Sequence, residues 1–405
     1  MLPGLICLVV AMVLLAVPAM AATTQVNVTK YCDNNYSAVE QSATVNYTYM
    51  MNNYPQIYSN GPVYMQGGSF NTNDVWGTAG QGMRPYGEHN GTYVHNLTDK
   101  VGGMSDGDEL WVHGIDWPVT RYFNYTNVYT PNNSQGDMIL SWWDSDYGFV
   151  SNGWSQGMRL FFYTPPESHG VNDSLNFTNM DMHDSMASWY WMIIEDKYNS
   201  GHYYPSAKGL SVKNVTDLKI YPPHRYDFNT TGNTPTKYAY YGEVAGVPNT
   251  ATVPSNAFGS TTDIADNDSA SYLQKADTTN YSAAQRFVFN VTENATLIET
   301  LGVTWIGNGS HDNESATQGA TLYIWDGTSS SYEQLATTTQ NGTRTLSDTL
   351  TSGISDYVVN GNVTVLVKQN DVTNTVGETT YYSRLATDYV KLVVRHHNKN
   401  SEYTL

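Results

Sequence analysis

The sequence predicts a mainly β protein: a β-rich α+β first domain followed by a β-sandwich of jelly-roll type. Three observations carry this. Charged residues are only 14% of the 405-residue chain and aromatics reach 13%, with 32 Tyr and 10 Trp, so hydroxyls, amides and phenols must keep the surface wet. From residue 283 to residue 396, short apolar-alternating runs recur with Asn, Gly and Asp turns between them. Upstream, extended runs alternate with Gly- and aromatic-rich loops. The length suits two or three domains with real cores.

At the N-terminus, Leu5 to Ala19 is almost wholly apolar, and Ala19-Met20-Ala21 fits a small-x-small cleavage site. Residues 1–22 therefore read as a signal peptide, although MLPGLIC carries no Lys or Arg. A membrane anchor is the rival reading. The run is short of the roughly 20 residues a span needs, so no membrane span is expected in the mature chain. Cys7 leaves with the signal, and Cys32 alone remains, to cross-link two copies or to stay an inert thiol. A net charge of −18 excludes nucleic acid and argues against anionic lipid.

Asn-x-Ser/Thr sequons are spread over the whole mature length: Asn27, Asn35, Asn46, Asn90, Asn96, Asn124, Asn132, Asn172, Asn176, Asn214, Asn229, Asn267, Asn280, Asn290, Asn294, Asn308, Asn313, Asn341 and Asn362. They predict a heavily N-glycosylated exterior. Chance in an Asn/Thr-rich chain is the alternative. With sparse cysteine and an acidic balance, the composition looks archaeal.

In chain order, Thr23–Lys30 and Ala43–Met50 alternate as strands, with Val45, Tyr47 and Tyr49 on one face and a turn at Asp33-Asn34-Asn35. Tyr93–Val101 predicts a short helix capped near Asn90 or Thr92. Gly102-Gly103 and Asp106-Gly107-Asp108 are turn chemistry launching the strand Leu110–Ile115, and Val119–Tyr125 follows Pro118. Met138–Trp143 and Arg159–Tyr163 are continuous apolar runs, as in buried strands. Asp184–Tyr198 reads as helix or strand, a short helix followed by a loop being favoured. Val212–Tyr221 is the strand that closes the first domain before Pro222-Pro223, the domain being drawn over residues 23–228. Residues 229–282 read as linker or long loop, with a strand embedded near Tyr238–Val244. The sandwich spans 283–396, and 397–405 reads as a frayed polar tail in which His396-His397 has little prospect of holding a metal. Phe287, Phe289, Val291, Val303, Trp305, Leu322, Ile324, Val363, Val365, Val367, Val390, Leu392 and Val394 are the expected sandwich core.

Residues 26–221 carry a family resemblance. The matching stretches are VNVTK (26–30), ATVNYTYMM (43–51), LTDKVGGMSDGDEL (97–110), YTNVY (125–129), QGDMIL (135–140), QGMRLFF (156–162), MDMHD (180–184) and GLSVKNVTDLKIY (209–221). This part resembles an uncharacterised family of secreted methanogen and bacterial surface proteins. That family is distantly similar to the molybdopterin-binding domain of the sulfite oxidase superfamily, which implies a sulfite-oxidase-like β-rich fold. The cofactor ligands do not carry over. YVHNLTDK before Val101 has no cysteine, Cys32 in TKYCDNN matches no ligand motif, and Arg84, Arg121 and Arg159 are the only arginines before residue 200. A molybdopterin site is therefore not expected, and Arg159 reads as a structural ion-pair partner. The ending TDYVKLVV resembles β-sandwiches appended to archaeal surface proteins.

The chemistry candidates are sparse. Asp106, Asp108 and Glu109 in one turn, and Asp263, Asp266 and Asp268 in another, are the candidate oxygen ligands for Ca2+; three acids in a turn are more often simply solvated. His183 between Asp181 and Asp184 is a candidate ligand or base, with a structural His–Asp pair as the plainer reading. No GxSxG elbow and no metal-type histidine spacing is present. Trp142-Trp143 and Trp189-Tyr190-Trp191 are candidate sugar platforms, in which strand alternation sends neighbours to opposite faces.

No catalytic residues are expected. The leading expectation is an N-glycosylated extracellular structural protein of an archaeal envelope, self-assembling as a surface layer, sheath or filament through its N-terminal strand region, roughly 23–50. The alternative is a secreted carbohydrate- or small-ligand-binding module, and a cofactor-dependent oxidoreductase ranks third.

Overall fold

A computed structural model describes residues 22–66, 83–115, 119–164, 176–178, 186–195, 203–205, 207–229 and 237–400. The signal-peptide reading of 1–22 and the Met180–Asp184 cluster with His183 fall almost wholly outside them. The described chain is mainly β and builds two large hydrophobic cores and a small third cluster of Val244, Ala284, Trp325, Tyr332 and Leu366.

The first core sits between two five-stranded sheets. One runs in the order Asn35–Asn46, Gln25–Cys32, Val215–Tyr221, Glu109–Gly114, Val119–Asn124. Its Gln25–Cys32 strand pairs in parallel with Val215–Tyr221, so the start and end of the domain lie side by side. Alternation drives Val26, Val28, Leu110, Val112, Leu218 and Ile220 inward. The other sheet carries Asp137–Asp144 at its centre, with Arg159–Tyr163 on one side and His89–Tyr93 on the other. Arg159–Tyr163 is buried throughout, as its continuous apolar run predicts.

Local expectations fail where a cap wins. Tyr47 and Tyr49 leave the expected strand for the helix Tyr47–Asn53, because the Asn46 side chain accepts the Tyr49 N–H at 2.7 Å and starts a turn. The helix expected over Tyr93–Val101 is Val94–Thr98 plus the 3-10 turn Asp99–Val101; Asn90 and Thr92 belong to the preceding strand and cap nothing. The Gly turns are as expected: Gly102, Gly103 and Gly107 have φ of 85°, 69° and 97°, where a Cβ would be strained. The region 184–198 yields a 3-10 turn at Ser188–Tyr190 and then the strand Ile193–Glu195.

The second core is a sandwich of a five- and a six-stranded sheet. The long strands Ile298–His311 and Ser383–His396 alternate inward and outward along fourteen residues each. All the expected sandwich-core residues are buried in one cluster. Residues 229–282 are not a linker. Lys237–Val244 and Asn256–Ala257 join the six-stranded sheet, and Tyr272–Lys275 pairs with Ser383–His396. Two of these strands are only two and four residues long, and much of their surface stays wet, which hides their period. His224–Asp227 also pairs with Ser383–His396, so the domain boundary falls at Pro222-Pro223 and not at residue 228.

The expected frayed tail is a correction too. His397–Asn400 docks onto the first domain, as described below; residues 401–405 lie outside the described residues. No helix among the described residues is long and apolar enough to cross a membrane.

Candidate functional site

At the junction of the two domains, polar side chains from distant segments converge on Glu109. Glu109 opens the strand Glu109–Gly114 and is only 3% exposed. Its Oε1 accepts from Trp111 Nε1 at 2.6 Å and from Asn398 Nδ2 at 2.6 Å. Its Oε2 accepts from the Tyr190 hydroxyl at 3.0 Å and from the Asn398 backbone N–H at 2.8 Å. Burial pushes the Glu109 carboxyl up, and these donors pull it back. The same burial, with Glu109 alongside, pushes the Tyr190 phenol far up.

Asn398 belongs to a strap, His397–Asn400, that follows the long strand Ser383–His396. His397 stacks on Trp189 with ring centres 3.8 Å apart and planes at 9°. Asn400 accepts from the Tyr122 N–H at 2.9 Å and donates to the Tyr122 carbonyl at 3.3 Å and the Tyr190 carbonyl at 2.5 Å. Elsewhere in the junction, Arg225 grips Asp33 with Nε and Nη2 at 2.9 and 3.2 Å. Arg395 reaches Glu299 at 2.9 Å and Asp106 at 3.5 Å. Tyr36 stacks on His224, whose Nδ1 lies 2.6 Å from Glu293.

Beside the strap opens a cleft of about 770 Å³. Trp189 and Trp191 line it from the first domain, and Thr351–Ser355 with Glu299 line it from the second. Tyr190 between the two tryptophans is buried, so Trp-Tyr-Trp divides as strand-like alternation predicts, though on a 3-10 turn. Trp142 is core and Trp143 half-buried against it.

The strap has a second consequence, for the sheet edges. Val119–Asn124 is one edge of the first sheet, and Asn400 satisfies the outward backbone of Tyr122 there. The opposite edge, Asn35–Asn46, is twelve residues long and, among the described residues, pairs only with Gln25–Cys32. In it only Val45 is buried, only Glu40 is charged, and no proline stands.

A Ser-His-Asp grouping does occur. Nδ1 of His89 lies 3.5 Å from Ser141 Oγ and 3.6 Å from Asp144 Oδ2, while its Nε2 meets the Tyr86 carbonyl at 2.9 Å. Serine and aspartate thus share one ring nitrogen, so no proton can be relayed across the imidazole as in a catalytic triad. Burial drives His89 down to about 3, which removes it as a base near neutrality. Phe161 stacks on it at 4.0 Å.

The carboxylates expected as Ca2+ ligands do not converge. Asp106 faces Arg395, Asp108 accepts the Ser105 N–H at 2.9 Å, and Glu109 is spent on the strap. Asp266 accepts from Asn229 at 2.7 Å and Asp268 from the Ala270 N–H at 2.9 Å; Asp263 sits in a 3-10 turn. Among the described residues no three His, Cys, Asp or Glu gather as a metal site. Arg159 is fully buried and, among the described residues, is held by Ser211, Gln156 and the rings of Tyr86 and Phe161 instead of the expected carboxylate. Buried Arg121 donates to the Gly209 carbonyl at 2.6 Å. Cys32 is a free, half-buried thiol. The strap itself escaped the sequence, because Asn398 and Asn400 lie 210 to 289 residues from their polar partners.

A family model described as "Uncharacterized protein, C-terminal domain" matches residues 234–396. That span starts inside the stretch read as linker and agrees with the second core. No curated protein matches the chain. A crystal structure of a carbohydrate-binding module specific for non-crystalline cellulose aligns at 14% identity over 44% of this chain and 83% of that chain. Its TM-score of 0.11 carries no argument about fold or function. These findings give no support to a sulfite-oxidase-like relationship.

Proposed function

We propose that this chain is a non-enzymatic, N-glycosylated structural protein of an archaeal cell surface. It self-assembles into a surface layer, sheath or filament by strand pairing along Asn35–Asn46. One observation carries the reading: the first sheet is capped at one edge by Asn400, and the twelve-residue strand at its other edge has, among the described residues, no outer partner. An unpaired edge is a template for another strand, and proteins that stay monomeric guard such edges with Lys, Pro or a covering loop. Here one edge is covered and the other carries a single charge, Glu40.

The resemblance of residues 26–221 to secreted surface proteins supports the same reading, as does the sequon density. The spoiled geometry of His89 supports a role without catalysis.

The test is electron microscopy and light scattering of the full mature chain in physiological salt with calcium. Ordered oligomers or sheets are expected. Dispersed monomers alone at high protein concentration would overturn the proposal.

A further inference from the structure

The cleft between the domains has a chemistry that the assembly reading does not use. We infer that it is a saccharide-binding site, in which a neutral sugar stacks on Trp189 and Trp191 and hydrogen-bonds to hydroxyls of the Thr351–Ser355 loop. Its volume of about 770 Å³ lies within the range of small-ligand sites, roughly 300–1,000 Å³. Sugars present both apolar C–H faces and a ring of hydroxyls, so their sites pair aromatic rings with short polar side chains. This cleft has both.

Trp189 and Trp191 are half-buried, and both line the cavity. Tyr190, the residue between them, is turned into the core and held by Glu109. That anchor fixes the two tryptophans in place. His397 covers part of Trp189, and the remaining indole surface lines the cavity. The Trp191 N–H is taken by the Met186 carbonyl, so that ring offers its surface alone.

The opposite wall comes from the other domain. Thr351, Ser352 and Ser355 are exposed, and no hydrogen bond within the described residues ties down their hydroxyls. Gly353 in the left-handed region, φ 63°, turns this loop. Glu299 lines the same wall, held by Arg395 at 2.9 Å, and its second oxygen is a natural acceptor for a sugar hydroxyl. Apolar walls without such hydroxyls would select a lipid or an aromatic ligand. A phosphate or sulfate site would need converging cations, and the lining sets one ammonium, Lys399, against the Glu299 carboxylate.

The test titrates the full mature chain with cellotetraose, mannotetraose and tri-N-acetylchitotriose, read by tryptophan fluorescence and calorimetry, with the apolar dye anilinonaphthalene sulfonate as contrast. At least one saccharide is expected to bind and to shift the emission. Trp191→Ala is expected to weaken it at least tenfold. Trp191 also packs on the first core, so a second variant guards against misfolding: Ser352→Trp, on an exposed loop, fills the cleft and abolishes binding while leaving the thermal transition unchanged. Failure of all three saccharides to bind at millimolar concentration, binding that survives Ser352→Trp, or binding of the dye alone overturns the inference. None of these outcomes bears on assembly through Asn35–Asn46, which is read separately by microscopy.

Discussion

Glu109 and Asn398 stand 289 residues apart, yet the backbone and side-chain N–H groups of Asn398 both end on the Glu109 carboxylate, at 2.8 and 2.6 Å. A buried carboxylate is costly unless its oxygens are filled, and here donors from three separate segments fill them. The bond therefore locks the second domain's last residues into the first domain's core. Replacing Glu109 with Ala leaves the Trp111 indole, the Tyr190 hydroxyl and both Asn398 donors without an acceptor. At about 1–3 kcal/mol per buried unsatisfied group, partly relieved by water, the expected loss is roughly 3 kcal/mol. Scanning calorimetry should show a lower melting point and two resolved transitions, one per domain. A single unshifted transition would show that the strap is not a lock.

The histidines set an acid limit on the fold. Burial lowers His397 to about 4, His89 to about 3, and His396 below its ordinary 6.5. The unfolded chain takes up these protons near 6.5 while the folded chain resists until lower pH. Their stability contribution is therefore complete above about 6.5 and is lost as pH falls toward 4. Arg395, Lys399 and His396 surround His397 with positive charge and deepen the effect. The carboxyls of buried Asp108, Glu109 and Asp144 are shifted upward by desolvation and act in the opposite sense. Melting temperature is expected to fall from pH 7 to pH 5, and His397→Phe, which keeps a ring against Trp189, should flatten part of the slope. Equal slopes in both proteins would remove His397 as a contributor.

Glycan occupancy should follow burial. Asn90 and Asn214 are 3% and 2% exposed. The Asn214 amide donates to Ser155 and its oxygen accepts from the Thr23 N–H, so a glycan there cannot coexist with the fold. Asn27, Asn46, Asn132, Asn267, Asn280, Asn294 and Asn341 are exposed. Glycopeptide mass spectrometry of native protein is expected to find sugar among this second set and none on Asn90 or Asn214. Substantial occupancy of Asn214 would contradict the described packing.

The two acidic turns are expected to ignore calcium. A cation held at a hundred times its dissociation constant stabilises by about 2.7 kcal/mol. Asp106, Asp108 and Glu109 point at three different partners, and Asp266 and Asp268 at two. Adding a chelator should therefore leave the monomer's thermal transition in place. A clear drop would place a calcium site at one of these turns.

What the sequence revealed divides by distance along the chain. Alternation in Phe287, Phe289 and Val291, or in Val390, Leu392 and Val394, is local and points to a buried face without further knowledge. The Gly102-Gly103 turn is local as well. The strand near Tyr238–Val244 was legible, but Asn256–Ala257 and Tyr272–Lys275 were lost inside a supposed linker, because strands this short and this wet show no period of their own. The strap was lost for a different reason. His-His-Asn-Lys-Asn is polar, and only a partner hundreds of residues away makes it buried. Glu109 shows the same limit from the other side. Beside Asp106 and Asp108 it reads as one of three solvated acids, and only the folded turn and strand show that Asp108 and Glu109 turn inward while Asp106 stays exposed.

The open edge supplies the sharpest prediction for assembly. In Asn35–Asn46 the residues that face outward carry one charge, and exposed Val39 stands near the middle of the strand. A partner strand pairing there must place its own side chains beside Val39 and Glu40. Val39→Lys sets a second charge on the edge, in the manner by which natural edges are blunted. Because Val39 is 51% exposed, the substitution should leave the melting temperature within the usual surface range of about 0.5 kcal/mol. Assembly should fall by an order of magnitude or more, since a lysine ammonium on the pairing edge resists desolvation. A control substitution at Thr345, on the exposed edge strand Arg344–Leu350 of the sandwich, should leave assembly intact if the first sheet's edge is the one used. Loss in the Thr345 variant with assembly retained in Val39→Lys would move the contact to the sandwich.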